Sequence, residues 1–416
     1  MRLMVYSHDT FGLGNIRRML AICHHLHATL EDLSILIVSG SPMLQSFRVA
    51  KGIDYIKLPC LKRAETGELG VKFLPMEAEE VIRLRRELLL STVISYRPDV
   101  VLVDKKPDGL AGELEPALRH IRCALPETQL NLVLRDILDA PEKTTAEWSE
   151  RGYNNVLHWY YDQILVLGQQ SVFDVCAEYR IPPAIARKVK YCGYVARHEV
   201  LEASEKVRAR LGVECDARLV LATAGGGEDG FRLMQRSMEA ARLMTEQRKV
   251  QMVVVAGPEL AAEQRRQLSA AAAMTPQTRL VEFLPEMLSA MQAADAVISM
   301  GGYNTVCELA TLHKRAVVVP RAEPVQEQSM RMERMAGLGP FETLRLATLD
   351  ARALAGAVLR QLEAAEHRTR SDWQLDMGAL PRIARLLGKS HGHRDVQAPG
   401  LARHGEDELL MDAAAS

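Results

Sequence analysis

Ile298-Ser299-Met300-Gly301-Gly302-Tyr303-Asn304-Thr305-Val306-Cys307-Glu308-Leu309-Ala310 joins a short apolar run to a helical one through a pair of glycines. Residues 296–299 read as a buried strand, and a helix is expected from Thr305. A strand, a glycine turn and a helix make one βα unit, and repeated units of this kind build a parallel sheet covered by helices. In such sheets ligands bind beyond the carboxyl ends of the strands, so the loop at 300–304 is a place to look for chemistry. Glu308 has two readings. Thr305-x-x-Glu308 is a capping box, in which Glu308 serves only the helix start. Alternatively its carboxylate accepts hydrogen bonds from both hydroxyls of a ribose while the glycine amides and the helix end face a pyrophosphate.

The same alternation runs outward in both directions. Toward the C-terminus, a strand at 316–319 ends at Pro320, and Glu327-Gln328 follow as another lip of the same cleft. Toward the N-terminus, strands are expected at 279–283, 251–256 and 218–224, the last running into Gly225-Gly226-Gly227. Three glycines after a buried strand leave the backbone N–H groups open to a phosphate, although no Gly-Lys-Ser/Thr follows as in a Walker loop. The first half repeats the pattern, with strands at 3–7, 34–39, 54–57, 100–103, 130–135 and 163–167 and a short one at 191–193. Ile16, Met19, Leu20, Cys23, Leu26 and Leu30 recur at helical spacing after the first strand. The expected organisation is α/β with two doubly wound, Rossmann-like domains facing a cleft. Residues 1–195 form an acceptor-side domain and 196–350 a donor-binding domain. Residues 351–388 are C-terminal helices, and 389–416 are polar, aperiodic and expected to be disordered.

Three loops of the first half offer candidate groups. His8-Asp9-Thr10-Phe11-Gly12-Leu13-Gly14-Asn15 leads into a helix carrying Arg17 and Arg18; its glycines suit close approach to a ligand, and His8 or Asp9 is placed to act as a general base. It lacks the third glycine of the dinucleotide fingerprint and is equally a plain βα turn. Asp104 to Asp108 put charge straight after a strand, as a site lip or a solvated loop does. Arg135-Asp136 close another strand, with Asp136 as a base and Arg135 holding an anion, or as a simple surface pair.

Bulk properties narrow the function classes. The chain has 416 residues and a formal charge of −1, from 52 Lys+Arg against 53 Asp+Glu, a balance that gives no reason to expect a nucleic-acid partner and leaves room only for local basic patches. Its seven scattered cysteines contain no CxxC pair, so neither a zinc ribbon nor a disulfide framework is expected, and no metal or cofactor is called for. Neither a secretory leader nor a run of about 20 apolar residues is present. A cytoplasmic location is expected, with peripheral contact on the inner face of the membrane as the form of association left open. Arg83, Arg85 and Arg86 before Leu88-Leu89-Leu90 are either a basic amphipathic surface for anionic lipid or an ordinary helix face.

Gly301-Gly302, Thr305-Val306-Cys307-Glu308, Pro320 and Glu327-Gln328 resemble the donor-binding half of GT-B glycosyltransferases. They are similar to the branch holding the peptidoglycan N-acetylglucosaminyltransferase and related bacterial glycosyltransferases. The likeness spans about residues 1 to 345 and is most specific from Gly301 to Gln328. It implies that Glu308 holds the nucleotide ribose and Gln328 the sugar hydroxyls, with Gly225 to Gly227 near the phosphates. It places Asn304 and Thr305 at the donor, Leu284 at a uracil-type base, and the loop through Gly12, Gly14 and Asn15 facing the reaction centre. Two departures stand out: Asn15 where the family often has His, and Arg331-Met332 where it has Asn-Ala. The implied function is sugar transfer from a nucleoside diphosphate, UDP by the resemblance, to a hydroxyl, without a metal and with inversion. The acceptor is a glycan, a lipid-linked or a small molecule. A nucleotide-sugar hydrolase or epimerase, or a non-catalytic nucleotide-sugar-binding regulator, has the same sequence signature.

Overall fold

The computed structural model describes residues 1–8, 14–46, 49–63, 69–197, 200–366 and 373–388. Expectations for Asp9, Gly12 and the segment 389–416 lie outside these residues. Seven parallel strands form the first sheet: β1 (Arg2–Ser7), β2 (Ser34–Ser39), β3 (Ile53–Lys57), β4 (Val100–Asp104), β5 (Gln129–Arg135), β6 (Gln163–Leu167) and β7 (Val189–Tyr191). Their spatial order is β3-β2-β1-β4-β5-β6-β7. Six form the second: β8 (Arg218–Thr223), β9 (Val250–Val255), β10 (Thr278–Val281), β11 (Ala296–Ser299), β12 (Ala316–Val318) and β13 (Phe341–Thr343), in the order β10-β9-β8-β11-β12-β13. The central strands are buried on both faces, which is why they read as unbroken Val/Leu/Ile runs rather than as alternating ones.

Each sheet reverses its winding once, between β1 and β4 and between β8 and β11. Chains leaving two such neighbours diverge to opposite faces and open a crevice between their loops. The loops after β8 and β11 are the two glycine turns of the sequence. The loop after β1 begins at His8, and β4 ends at Asp104.

Six helices matter for the site: α1 (Gly14–Thr29), α2 (Phe231–Thr245), α3 (Tyr303–Thr311), α4 (Glu327–Arg334), α5 (Ala351–Glu366) and α6 (Ala379–Gly388). The expected stripe of α1 is buried, from Ile16 to Leu26. The C-terminal helices, expected as one unit, divide between the domains. α5 packs on α2, whereas α6 returns to pack on α1. The returning chain runs beside the outgoing one, where Tyr194 N donates to Asp376 O at 2.6 Å and Val195 bridges Gly378.

Three differences from expectation have local causes. β13 and the hairpin of Leu61–Arg63 with Leu69–Val71 went unread, because three-residue strands carry too little periodicity. The strand expected at 191–193 lies at β7 instead, since Gly193 takes φ 83 and ends it. Arg85 is no part of a lipid-facing surface. It is fully buried, its Nε donates to Glu113 Oε2 at 2.5 Å, and the Tyr6 hydroxyl donates to the same carboxylate at 2.5 Å.

Candidate functional site

The carboxyl ends of β8, β9 and β11 face α1 of the first domain across a cleft of 330 Å³. One wall is made of glycine turns packed backbone to backbone. Gly227 has φ 99, and a Cβ there would lie 2.3 Å from Ala256 O. Gly257 has φ 86, and its Cβ would lie 2.3 Å from Gly226 O. Each turn therefore requires glycine because of the other. Gly257 escaped the sequence reading because a lone Gly-Pro after a strand reads as an ordinary turn.

The second turn continues this wall. Gly301, at φ 74, lies under it against Val318 and Met332, where a Cβ would meet atoms at 2.9 and 3.1 Å. Gly302, Tyr303, Asn304 and Thr305 line the cleft. α3 begins at Tyr303 with Gly302 as its N-cap and no side-chain cap, so Thr305 is the third helical residue. The capping-box reading of Thr305 and Glu308 is thereby overturned. Glu308 lies one turn along, 4% exposed and on the cleft, with Oε1 2.5 Å from Arg197 Nη1. Arg197 belongs to the segment crossing between the domains, and nothing in the sequence marked it.

The opposite wall is the start of α1, with Gly14, Asn15, Arg17 and Arg18. Asn304 Nδ2 donates to Gly14 O at 2.8 Å, directly across the cleft. Arg18 donates to Asp104 Oδ1 at 2.7 Å and to Asn15 Oδ1 at 3.1 Å, so the charge of Asp104 serves this wall. Phe283 and Leu284, after β10, close one end, where the guanidinium of Arg17 lies 5.9 Å from the Phe283 ring centre.

At the other end, Arg321, Glu327 and Gln328 form the lip. Gln328 Oε1 accepts from Arg321 N at 3.2 Å. Glu327 and Arg331, one turn apart on α4, reach the Arg135-Asp136 pair at the end of β5. Arg135 Nη1 lies 3.0 Å from Glu327 Oε2. Arg331 donates from Nε and Nη2 to the two oxygens of Asp136, each at 2.8 Å, and also to Glu327 and to Gly301 O. Burial disfavours a charged Glu327, yet Arg135 and then Arg331 outweigh it and hold the carboxyl down at about 2.

This geometry sorts the candidate proton acceptors. Asp136 is corrected from base to interdomain anchor: both oxygens are engaged by a buried guanidinium, it is 1% exposed, and it does not line the cleft. His8 is also buried, with Nδ1 3.3 Å from Asp104 O. Burial lowers it to about 4 despite the opposing charge of Asp104, so it is neutral at pH 7. The end of β4 and the loop that follows it are structural, since Asp104 pairs with Arg18 and Lys106 with Glu147. Of the expected donor residues, Gly225, Gly226, Gly227, Leu284, Gly302, Asn304, Thr305, Glu308, Glu327 and Gln328 all line the one cleft. Among the described residues no three His, Cys, Asp or Glu side chains gather as metal ligands.

Comparison with known proteins agrees with this fold. Residues 222–372 match the family model of the glycosyltransferase family 28 C-terminal domain. The UDP-N-acetylglucosamine--N-acetylmuramyl-(pentapeptide) pyrophosphoryl-undecaprenol N-acetylglucosamine transferase of Rubrobacter xylanophilus is 26% identical over 48% of this chain and 56% of its own length. An uncharacterized glycosyltransferase of Methanopyrus kandleri is 27% identical over 50% of this chain and 53% of its own. The chain thus spans about half the length of the curated relatives it matches. Among solved structures, MurG of Acinetobacter baumannii superposes with TM-score 0.57 at 16% identity, covering 93% of this chain and 99% of that one. The UDP-GlcNAc 2-epimerase of Methanocaldococcus jannaschii gives 0.60 at 14% identity, covering 94% and 100%. At such identities the likeness is one of fold, two Rossmann-like domains around a cleft.

Proposed function

We propose, for a GT-B chain related to the MurG-type glycosyltransferases, that the cleft binds a nucleoside diphosphate sugar and passes the sugar to a hydroxyl. The observation that carries this reading is the convergence of Glu308, two glycine turns and Gln328 on one cleft faced by a second domain. Glu308 holds the ribose hydroxyls. The amide of Gly302 and the free N–H groups of the first turn of α3 face the diphosphate. Phe283 and Leu284 border the base, uracil by analogy with the relatives' UDP-linked donor. Backbone dipoles and Arg17 would steady the departing diphosphate without a metal ion. A hydroxyl entering from the α1 side attacks the face opposite the diphosphate, which inverts the anomeric centre. His8 and Asp9 remain the proposed takers of its proton.

Thermal shift against UDP, GDP, TDP and their sugar conjugates tests the reading. One nucleotide at a hundredfold excess over its Kd should stabilise the fold by about 2.7 kcal/mol. No shift with any of them would sink the proposal. A second reading, hydrolysis or epimerisation of the same donor, draws on the fold shared with a UDP-GlcNAc 2-epimerase, and a non-catalytic regulator draws on Asn15, which cannot take up a proton where the resembled family often has His. Product formed without any acceptor would favour the hydrolase or epimerase, and binding without turnover across acceptors would favour a regulator.

A lipid-linked acceptor suits one surface of the first domain. Phe73, Leu74 and Met76 are 68%, 42% and 39% exposed, just before the helix Ala78–Tyr96 that carries Arg83 and Arg86. No helix among the described residues is long and apolar enough to cross a membrane, so contact here would be peripheral. Cosedimentation with vesicles containing anionic lipid should fall severalfold in Phe73→Asp. Equal sedimentation of both proteins would remove this surface from the account.

A further inference from the structure

We propose that Asn15 donates a hydrogen bond to the diphosphate of the bound nucleotide, and that Arg18 and Asp104 are positioning residues that set its polarity. This rests on the nucleoside diphosphate sugar reading and adds to it a contact from the first domain.

The chain of contacts starts at the end of β4. Asp104 is fully buried, and its Oδ1 accepts from Arg18 Nη2 at 2.7 Å. The same Nη2 donates to Asn15 Oδ1 at 3.1 Å. A guanidinium carries N–H donors and no acceptor, so the atom of Asn15 that meets it is the carbonyl oxygen. The other end of the carboxamide is then its NH2, which can only donate. Asn15 is half-buried and lines the cleft, and among the described residues its Nδ2 has no hydrogen-bond partner. Arg18 has little freedom to release this arrangement. It is 3% exposed, and its guanidinium lies 5.6 Å from the ring centre of Tyr303, the first residue of α3 in the other domain. Arg331 lies 5.7 Å from the same ring centre, so the aromatic residue that opens α3 is itself held by the clasp between the domains.

Place decides which ligand atom the NH2 meets. Asn15 follows Gly14, whose carbonyl accepts from Asn304 Nδ2 at 2.8 Å. That contact sets the first turn of α1 against the first turn of α3, where free N–H groups suit an anion. A diphosphate at the start of α3 is therefore faced by Asn15 and Arg17 from α1, and the hydrogen bond from Asn15 is charge-assisted. When the bond from the anomeric carbon to the diphosphate breaks, its electron pair goes to the diphosphate oxygen. The acceptor oxygen forms the new bond, and its proton goes to the groups proposed above. A donor already fixed beside the diphosphate stabilises the charge as it grows, without reorganising. The side chain that cannot serve as a base thus has a use of the opposite polarity.

The test is isothermal titration of the full chain with UDP and with uridine, or the matching pair for whichever nucleotide gives the thermal shift. Asn15→Asp separates the roles, because its carboxylate still accepts from Arg18 while the end facing the cleft becomes an anion. The expected result is that Asn15→Asp binds UDP at least tenfold more weakly than the parent and binds uridine equally well. Asn15→Ala should lose severalfold for UDP, again with uridine unchanged. Arg18→Lys keeps a charge against Asp104 but offers no planar fork, and its effect on UDP should vanish in the Asn15→Ala chain. Two results would overturn the role of Asn15: an Asn15→Asp chain that binds UDP as tightly as the parent, or one that loses UDP and uridine alike, which would leave Asn15 as a support for Arg18. An Arg18→Lys effect that is undiminished in the Asn15→Ala chain would overturn the role of the positioning pair. If the parent binds UDP and only these patterns fail, the donor reading stands without this inference. If the parent binds no nucleotide, both fall.

Discussion

Replacing Arg331 with methionine should destabilise the protein by about 3–5 kcal/mol, as removal of one partner from a buried ion pair does. Arg331 is wholly buried and pairs with Asp136, 195 positions away in the other domain, as well as with Glu327 on its own helix. Without it, Asp136 keeps a buried charge with the Ile137 amide but no guanidinium against it, and the Arg135–Glu327 pair is the ion pair left at this point between the domains, beside weaker contacts such as Asn304 Nδ2 to Gly14 O. Urea unfolding monitored separately in each domain checks the value. The double variant Arg331→Met with Asp136→Leu should recover much of the loss, because neither charge is then stranded. A single variant that loses under about 1 kcal/mol would show that the clasp does not hold the domains together. The same residues set an acid limit. Glu327 sits at about 2 when folded against an ordinary 4.5, so its stabilisation is complete above pH 4.5 and is lost as pH falls through 2. Loss of Arg331 removes part of what holds that carboxyl down, so the variant should begin to lose stability at a higher pH than the parent.

That clasp marks where sequence reading runs out. The strands were legible because buried parallel strands are continuous apolar runs. The glycine turns were legible because few residues other than glycine tolerate φ near 70 to 100 between a strand and a helix. The Arg135-Asp136 and Glu327-Arg331 pairs are each visible in the chain, but their pairing depends on the angle between two domains, which no local pattern encodes. Arg331 registered only as a departure from the resembled family's Asn. In the structure it is the residue that joins the lip of the cleft to β5. Asp136 misled for the same reason: an Asp at a strand end reads as a base until the guanidinium covering it is known. Glu308 was undecidable from its spacing alone, since the helix start at Tyr303 rather than Thr305 separates the two readings. A shift of two residues, within the ordinary uncertainty of a helix boundary, carried the difference.

With the cap excluded, Glu308→Ala becomes a sharper experiment. The carboxylate lines the cleft, and removing a charged acceptor of ribose hydroxyls should weaken nucleotide binding by roughly 1–3 kcal/mol, or about 5- to 150-fold. Stability should change little, because α3 starts at Tyr303 from an N-cap glycine rather than from a Thr305–Glu308 box, and Arg197, 21% exposed at its side chain, can turn toward solvent. Arg197 also offers a control. It holds one oxygen of Glu308 from the segment that crosses between the domains, so it orients the carboxylate rather than touching the nucleotide in this reading. Arg197→Ala should therefore weaken binding less than Glu308→Ala, and the double variant should be no worse than Glu308→Ala alone. If Glu308→Ala leaves nucleotide affinity intact while the melting temperature falls, the carboxylate exists for Arg197 and the domain crossing. The ribose must then be held elsewhere in the cleft.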